Sequence, residues 1–195
     1  EADAIFGTLD PEMLSQAKNL KWIQAPAAAP PAGYYFDELI KHPAKVTNFR
    51  GIYNDHTSVH ILALILTLTK HINIYISQQI SKKWEPLETP KYHSTFLPES
   101  TVLIIGVGGI GKETAKLCKS IGMKVIGIDS IEKGSFDYID ILSTTEKLDS
   151  YLPESDFVVL TIPHTPETEG LFDLNKFKIM KKTSNFINIG RGMTT

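Results

Sequence analysis

The sequence predicts an α/β fold built on parallel sheets. Three observations carry this. Strand-like and helix-like segments alternate along the whole chain, a pattern that makes neighbouring strands run parallel. Residues 101–129 hold a glycine-rich turn between two short apolar runs of the kind buried on both faces of a sheet. Polar or glycine-rich loops then follow the carboxyl ends of successive strands, where ligands gather in open sheets.

Composition narrows the classes. The chain has 195 residues, 42% of them apolar and 22% charged, with a net charge of −2. No basic field exists to displace counterions from a nucleic acid. A single cysteine, Cys118, excludes an internal disulfide and a cysteine-based metal cluster, and reads as a small core residue. No signal peptide is visible. The longest apolar run, Ile61 to Leu66 with Leu68, lies between His60 and Lys70 and is too short to cross a membrane. A reduced, cytoplasmic compartment fits these features.

In chain order, Ala4 to Gly7 reads as a strand. Asp10 caps a helix with Pro11 at its first position, running to about Asn19. Lys21 to Gln24 is a second strand. Ala25 to Gly33 is an Ala/Pro loop at its carboxyl end, either a stiff connector or a binding loop. Phe36 to Lys41 is a short helix and Lys45 to Asn48 a third strand. Arg50 to Asn54 reads as a linker, dividing the chain into residues 1–52 and 53–195. Asn54 or Asp55 then caps one long helix to about Gln79. Trp84, in the break that follows, reads as a packing residue.

The segment from Thr101 organises the second unit. Thr101 to Ile105 is a strand, Gly106 to Gly111 a glycine loop, and Ile110 to Ile121 a helix ended by Gly122. Lys124 to Ile128 is the next strand, with Asp129 at its end. Gly106 permits the turn, Gly108 lets a pyrophosphate approach the backbone, and Gly111 lets helix and strand pack closely. Asp129 falls 18 residues after Gly111, where a carboxylate accepts the hydroxyls of an adenosine ribose. No arginine follows Asp129, so NAD is favoured over NADP. Phe136 to Leu142, Asp156 to Thr161 and Thr183 to Ile189 are further strands; Thr144 to Tyr151 and Asn175 to Met180 are helices. The count is five strands after residue 100, where a complete dinucleotide fold has about six. Both ends read as cut from a longer chain, so this piece alone is expected to be poorly soluble or partly disordered, with an open sheet edge.

Three loops of this unit should meet at one crevice: the glycine loop, Pro163 to Thr168, and Gly190 to Gly192. Arg191 would stand at the nicotinamide end. Its planar fork of donors suits a carboxylate beside a carbonyl. His56 and His60, four apart on a helix, lack an apparent third ligand for zinc, so no metal site is assigned.

Five segments together carry a resemblance: Leu20 to Gln24 (LKWIQ), Thr47 to Ile52 (TNFRGI), the GVGGIG loop, Asp156 to Phe172 (DFVVLTIPHTPETEGLF) and Asn188 to Gly192 (NIGRG). They resemble the D-isomer-specific 2-hydroxyacid dehydrogenases along almost the whole chain. The resemblance implies a Rossmann doubly wound parallel sheet plus a partial flavodoxin-like substrate domain. It implies an oxidoreductase passing hydride between NAD(H) and the C2 of a small D-2-hydroxy or 2-keto acid. By residue, Gly106 would belong to the cofactor-binding turn, Gly108, Gly109, Ile110 and Gly111 would hold the pyrophosphate, and Asp129 the ribose. Ile162, Pro163, Thr168, Ile189 and Gly190 would line the cofactor channel. Arg191 would grip the substrate carboxylate and carbonyl. It also implies a homodimer through the cofactor domain and the long helix 55–79.

Three departures stand out. The family's His–Glu proton pair is not found, and His164 reads as a loop residue, so the 195-residue piece is expected to show little NADH oxidation. The substrate loop reads Ala27-Ala28-Ala29-Pro30-Pro31 where the family has Ser-Ala-Gly, leaving Ala28 and Ala29 as substrate contacts with fewer N–H donors. Val59 stands where a glutamate is frequent. The alternatives are an NAD-responsive dimeric binding protein and an inactive remnant.

Overall fold

Asp10 and Pro11 start the first helix by their chemistry. The Asp10 carboxylate accepts the N–H of Met13 at 2.7 Å, satisfying one of the donors that a helix start leaves open. The chain, described by a computed structural model for residues 2–28, 31, 33–87, 95–131 and 134–195, divides into two units, 1–53 and 54–195.

In the first unit, strands β1 (Ala4–Phe6), β2 (Trp22–Gln24) and β3 (Lys45–Thr47) form a parallel sheet in the order β1-β2-β3. Helices α1 (Pro11–Gln16) and α2 (Asp37–Lys41) connect them. Ile23 of the central strand is wholly buried, packed with Leu14, Leu20, Tyr34 and Leu39. Tyr34 is anchored by its hydroxyl, which donates to the Gly7 carbonyl at 3.0 Å.

In the second unit, helices α3 (Asn54–Thr69) and α4 (Ile72–Ile80) precede β4 (Thr101–Ile105) and α5 (Gly109–Ser120). Then follow β5 (Lys124–Ile128), β6 (Ile141–Ser143), α6 (Leu148–Tyr151), β7 (Phe157–Leu160), α7 (Leu174–Ile179) and β8 (Asn185–Asn188). The five strands are all parallel, in the order β6-β5-β4-β7-β8.

Side-chain alternation explains why both faces of this sheet are covered. Val102, Ile104, Val125, Phe157 and Val159 point to one face, against Ile61 and Ile65 of α3 and Ala115 and Cys118 of α5. Leu103, Ile105, Ile126, Ile128, Val158 and Leu160 point to the other, against Leu148, Leu152 and Phe172. Each such buried aliphatic side chain stabilises the fold by roughly 1.5–3 kcal/mol. Cys118 is part of this core, and burial pushes its thiol up to about 12, so it stays protonated and unreactive.

Three expectations are corrected. The long helix is two helices, bent by 70°. His71 adopts a left-handed conformation at φ 53°, and its N–H turns back to Leu68 O. The region has no glycine or proline to announce the break. Thr69 closes the end of α3, its hydroxyl donating to Ile65 O at 2.6 Å. Second, the strand expected at Phe136 to Leu142 begins only at Ile141. Phe136 to Ile139 is a turn, closed by Ile139 N donating to Phe136 O at 3.0 Å. Its aromatic rings lie under Lys112 and Lys116 of α5, 5.1 and 5.4 Å from the ring centroids. Asp140 then ties the turn to β5, accepting from Val125 N at 2.8 Å and from Lys119. The Lys119 hydrogen bond, then the Val125 N–H, holds its carboxyl below the usual carboxylate range. Third, Trp84 is no packing residue: it is 91% exposed and lines a shallow recess with Tyr75, Gln78, Gln79 and Lys83.

Among the described residues, no single helix is long and apolar enough to cross a membrane.

Candidate functional site

The carboxyl ends of the central strands are stitched together one residue beyond each strand. Gly106 N donates to Ile128 O at 2.8 Å, Thr161 N to Ile105 O at 2.9 Å, Ile189 N to Leu160 O at 3.0 Å and Asp129 N to Ser143 O at 3.0 Å. The loops that leave these ends therefore start side by side. Strand order reverses between β5 and β7 on either side of β4, and such a point is where open parallel sheets bind ligands.

Close packing brings the loops together. Gly106 turns the chain at φ +97°, and a Cβ there would lie 2.8 Å from the Ile162 side chain. The Thr161 hydroxyl donates to Gly106 O at 2.6 Å. A Cβ on Gly190 would come 2.5 Å from Ile162 O. Thus Gly106, Ile162 and Gly190 form one contact line, and Ile189 is half-buried beside it. A Cβ on Gly111 would collide with the Gly106 carbonyl, so α5 reaches β4 only with glycine there. Gly109 is crowded too, by the side chain of Asn54.

Gly108 differs. It is the N-cap of α5 and offers no side-chain cap, and the first turn of the helix carries no acidic residue. An added Cβ there would meet nothing within 4 Å. Open space thus lies against a helix start whose first N–H groups have no partner within the helix and whose dipole favours an anion. This fits a pyrophosphate.

Asp129 is held beside the same loop. Its Oδ2 accepts from Val107 N at 2.7 Å and its Oδ1 from Ile131 N at 2.8 Å. The carboxylate is thereby fixed at the mouth of the glycine turn.

The Pro163–Thr168 loop closes on itself. The Thr168 hydroxyl donates to Pro163 O at 2.7 Å and accepts from Thr165 N at 2.7 Å. His164 lies 3.3 Å from Glu169, as a residue belonging to the loop. Arg191 is exposed, and its guanidinium donates to Gly190 O at 3.0 Å. Ala28 is half-buried in the first unit; Ala29 lies outside the described residues. His56 and His60 are exposed on α3, and no three His, Cys, Asp or Glu side chains among the described residues gather to hold a metal.

Sequence reasoning passed over four residues that shape this site: Asn54, Thr161, Asn188 and Thr194. Asn188 and Thr161 carried a signal, as members of the NIGRG and DFVVLTIPHTPETEGLF segments, and Asn54 as a helix-cap residue; Thr194 carried none.

Residues 62–195 match the family described as D-isomer specific 2-hydroxyacid dehydrogenase, NAD binding domain. The chain belongs to this family. Its second unit is the NAD-binding domain, with the Rossmann sheet expected from the glycine loop. The chain is 31% identical to a glyoxylate reductase of Pyrococcus horikoshii, over 98% of this chain and 59% of that protein. It is 34% identical to a D-3-phosphoglycerate dehydrogenase of Synechocystis, over 68% of this chain and 23% of that one. Among solved structures it is similar to a D-lactate dehydrogenase from Aquifex aeolicus complexed with NAD and lactic acid, with a TM-score of 0.81 and 26% identity, over 100% of this chain and 58% of that one. The chain thus spans well under two-thirds of the relatives it matches.

Proposed function

We propose that the whole protein is an NAD-dependent D-2-hydroxyacid dehydrogenase, interconverting a small 2-keto acid and its D-2-hydroxy acid. The observation that carries this is Asp129, its carboxylate bound to Val107 N at the glycine turn beside an uncapped α5. In this reading the N–H groups of Gly109 to Gly111 take the pyrophosphate, and Asp129 takes the ribose hydroxyls. A 2′-phosphate would face that carboxylate, so NAD is preferred to NADP. Ile162, Pro163, Thr168, Ile189 and Gly190 shape the channel toward the reacting ring. NAD(H) supplies or accepts the hydride at the substrate C2. Arg191 turns its fork from Gly190 O to the substrate carboxylate and carbonyl, orienting C2 and stabilising charge on the oxygen. We assign no residue of this chain to the proton on that oxygen. Ala28 and Ala29 are offered as substrate-loop contacts.

We also propose a homodimer that covers α3 and α4, supported by the exposure of Val59, Ile72, Tyr75, Ile76 and Ile80, and a cytoplasmic site of action. The test of the activity is turnover by the whole protein. NADH should be oxidised when glyoxylate, hydroxypyruvate or pyruvate is added, and chiral analysis should find the D-product wherever the product has a stereocentre at C2. Inertness toward all three, with NADH bound, would refute the reading.

A further inference from the structure

Asn188 grips the backbone on both sides of the Gly190–Arg191 peptide. Its Oδ1 accepts from Gly190 N at 2.9 Å, and its Nδ2 donates to Arg191 O at 3.0 Å. Thr194 closes on the same carbonyl, donating its hydroxyl at 2.6 Å and its N–H at 3.1 Å. The Asn188 amide also reaches Thr195 Oγ1 at 3.0 Å and Thr194 Oγ1 at 3.4 Å. Thr194 is fully buried, at 0% exposure. A threonine held this deep has its hydroxyl committed to a single geometry.

The clamp does not stand alone. Thr194 O accepts from Phe172 N at 3.0 Å, and Met193 O from Gly170 N at 2.9 Å. The turn carrying Arg191 is therefore fastened to the segment that follows the Pro163–Thr168 loop. On its other side, Gly190 lies against Ile162 O too closely to admit a Cβ. The backbone beneath Arg191 is fixed from three directions, whereas its side chain is exposed.

That contrast has a chemical consequence. A planar fork recognises a carboxylate and carbonyl only at the right distance and angle, and a shift of about 1 Å in such a group can cost about a hundredfold in rate. We propose that Asn188 and Thr194 are positioning residues that aim Arg191 at the substrate. The inference rests on the reading of Arg191 given above. It assigns two polar side chains that need not touch substrate or cofactor, and one of them, Thr194, lies beyond the NIGRG segment.

The test uses binding. Protein saturated with NADH is titrated with oxamate, a keto-acid mimic, in the wild type and in Thr194→Val, Thr194→Ser, Asn188→Asp and Arg191→Lys. Valine keeps the shape of threonine and removes the donor. Aspartate keeps the acceptor for Gly190 N and removes the donor to Arg191 O. Thr194→Val and Asn188→Asp each release the Arg191 carbonyl from a side-chain donor and should each weaken oxamate by roughly tenfold. NADH affinity should stay within about twofold, and Thr194→Ser should restore oxamate binding. If Thr194→Val does not fold, Asn188→Asp decides the matter alone. Weak oxamate binding by Arg191→Lys with normal binding by the clamp variants would overturn the clamp and leave the reading of Arg191 standing. Equal loss of NADH and oxamate in the clamp variants would reduce them to supports of the fold and overturn the proposal. Normal oxamate binding by Arg191→Lys would refute the reading of Arg191, and the clamp with it.

Discussion

Replacing Arg191 by glutamine should lower kcat/KM for a 2-keto acid by about a hundredfold or more, since the substrate carboxylate and carbonyl lose a charged, two-armed partner. NADH affinity should change by no more than about twofold. The two effects separate because the guanidinium belongs to the substrate end of the site. In the structure it donates to Gly190 O, a weak intramolecular bond that a carboxylate readily replaces. Glutamine retains length and polarity but loses the charge and one arm of the fork. Steady-state kinetics with NADH and glyoxylate, beside a fluorescence titration of NADH, reads both quantities. Unaltered kcat/KM would remove Arg191 from the reaction.

Gly111→Ala should destabilise the second unit and abolish most NADH binding. The new methyl would strike the Gly106 carbonyl and come within 3.3 Å of Ile104. Both belong to the central strand and its turn, so relief requires α5 to move away from β4. Overpacking of this kind costs about 1–3 kcal/mol, a drop of roughly 2–12 °C in melting temperature for a domain of this size. The same movement displaces the helix start from Asp129 and Val107, and NADH affinity should fall by about tenfold or more. Gly108→Ala is the informative partner. Its Cβ meets no atom within 4 Å, so melting should be little changed while NADH binding suffers, because the methyl occupies the anion's space. Thermal melts and NADH titrations of the two variants give the contrast. A wild-type melting curve for Gly111→Ala would contradict the close-packing argument.

Much of this molecule is written in local patterns. The buried strands around β4 are legible because both faces are covered, which demands continuous apolar runs such as Thr101 to Ile105. The glycine loop is legible because each glycine answers a steric demand, and the collision awaiting a side chain at Gly111 is that demand made concrete. The bend at His71 was not legible. It falls at a left-handed residue in a sequence with no breaker. The turn at Phe136 to Ile139 was misread for the opposite reason. Its aromatic residues resemble strand residues, yet they pack beneath lysines of α5. Nothing local at Trp84 tells a core residue from one left on the surface, where the structure has it. The clamp around Arg191 needed coordinates, since a polar side chain bonding its neighbours' backbone leaves little periodic trace.

Equilibrium titration of NADH and NADPH into the wild-type protein tests the central claim most directly, that a dinucleotide rests on the glycine turn with its ribose on Asp129. The carboxylate is fixed there by Val107 N and Ile131 N, so a 2′-phosphate would meet a like charge that costs several kcal/mol. The account predicts that NADH binds at least about tenfold more tightly than NADPH, and that Asp129→Ala erases most of the difference. Equal affinities in the wild type, or a preference for NADPH, would contradict it.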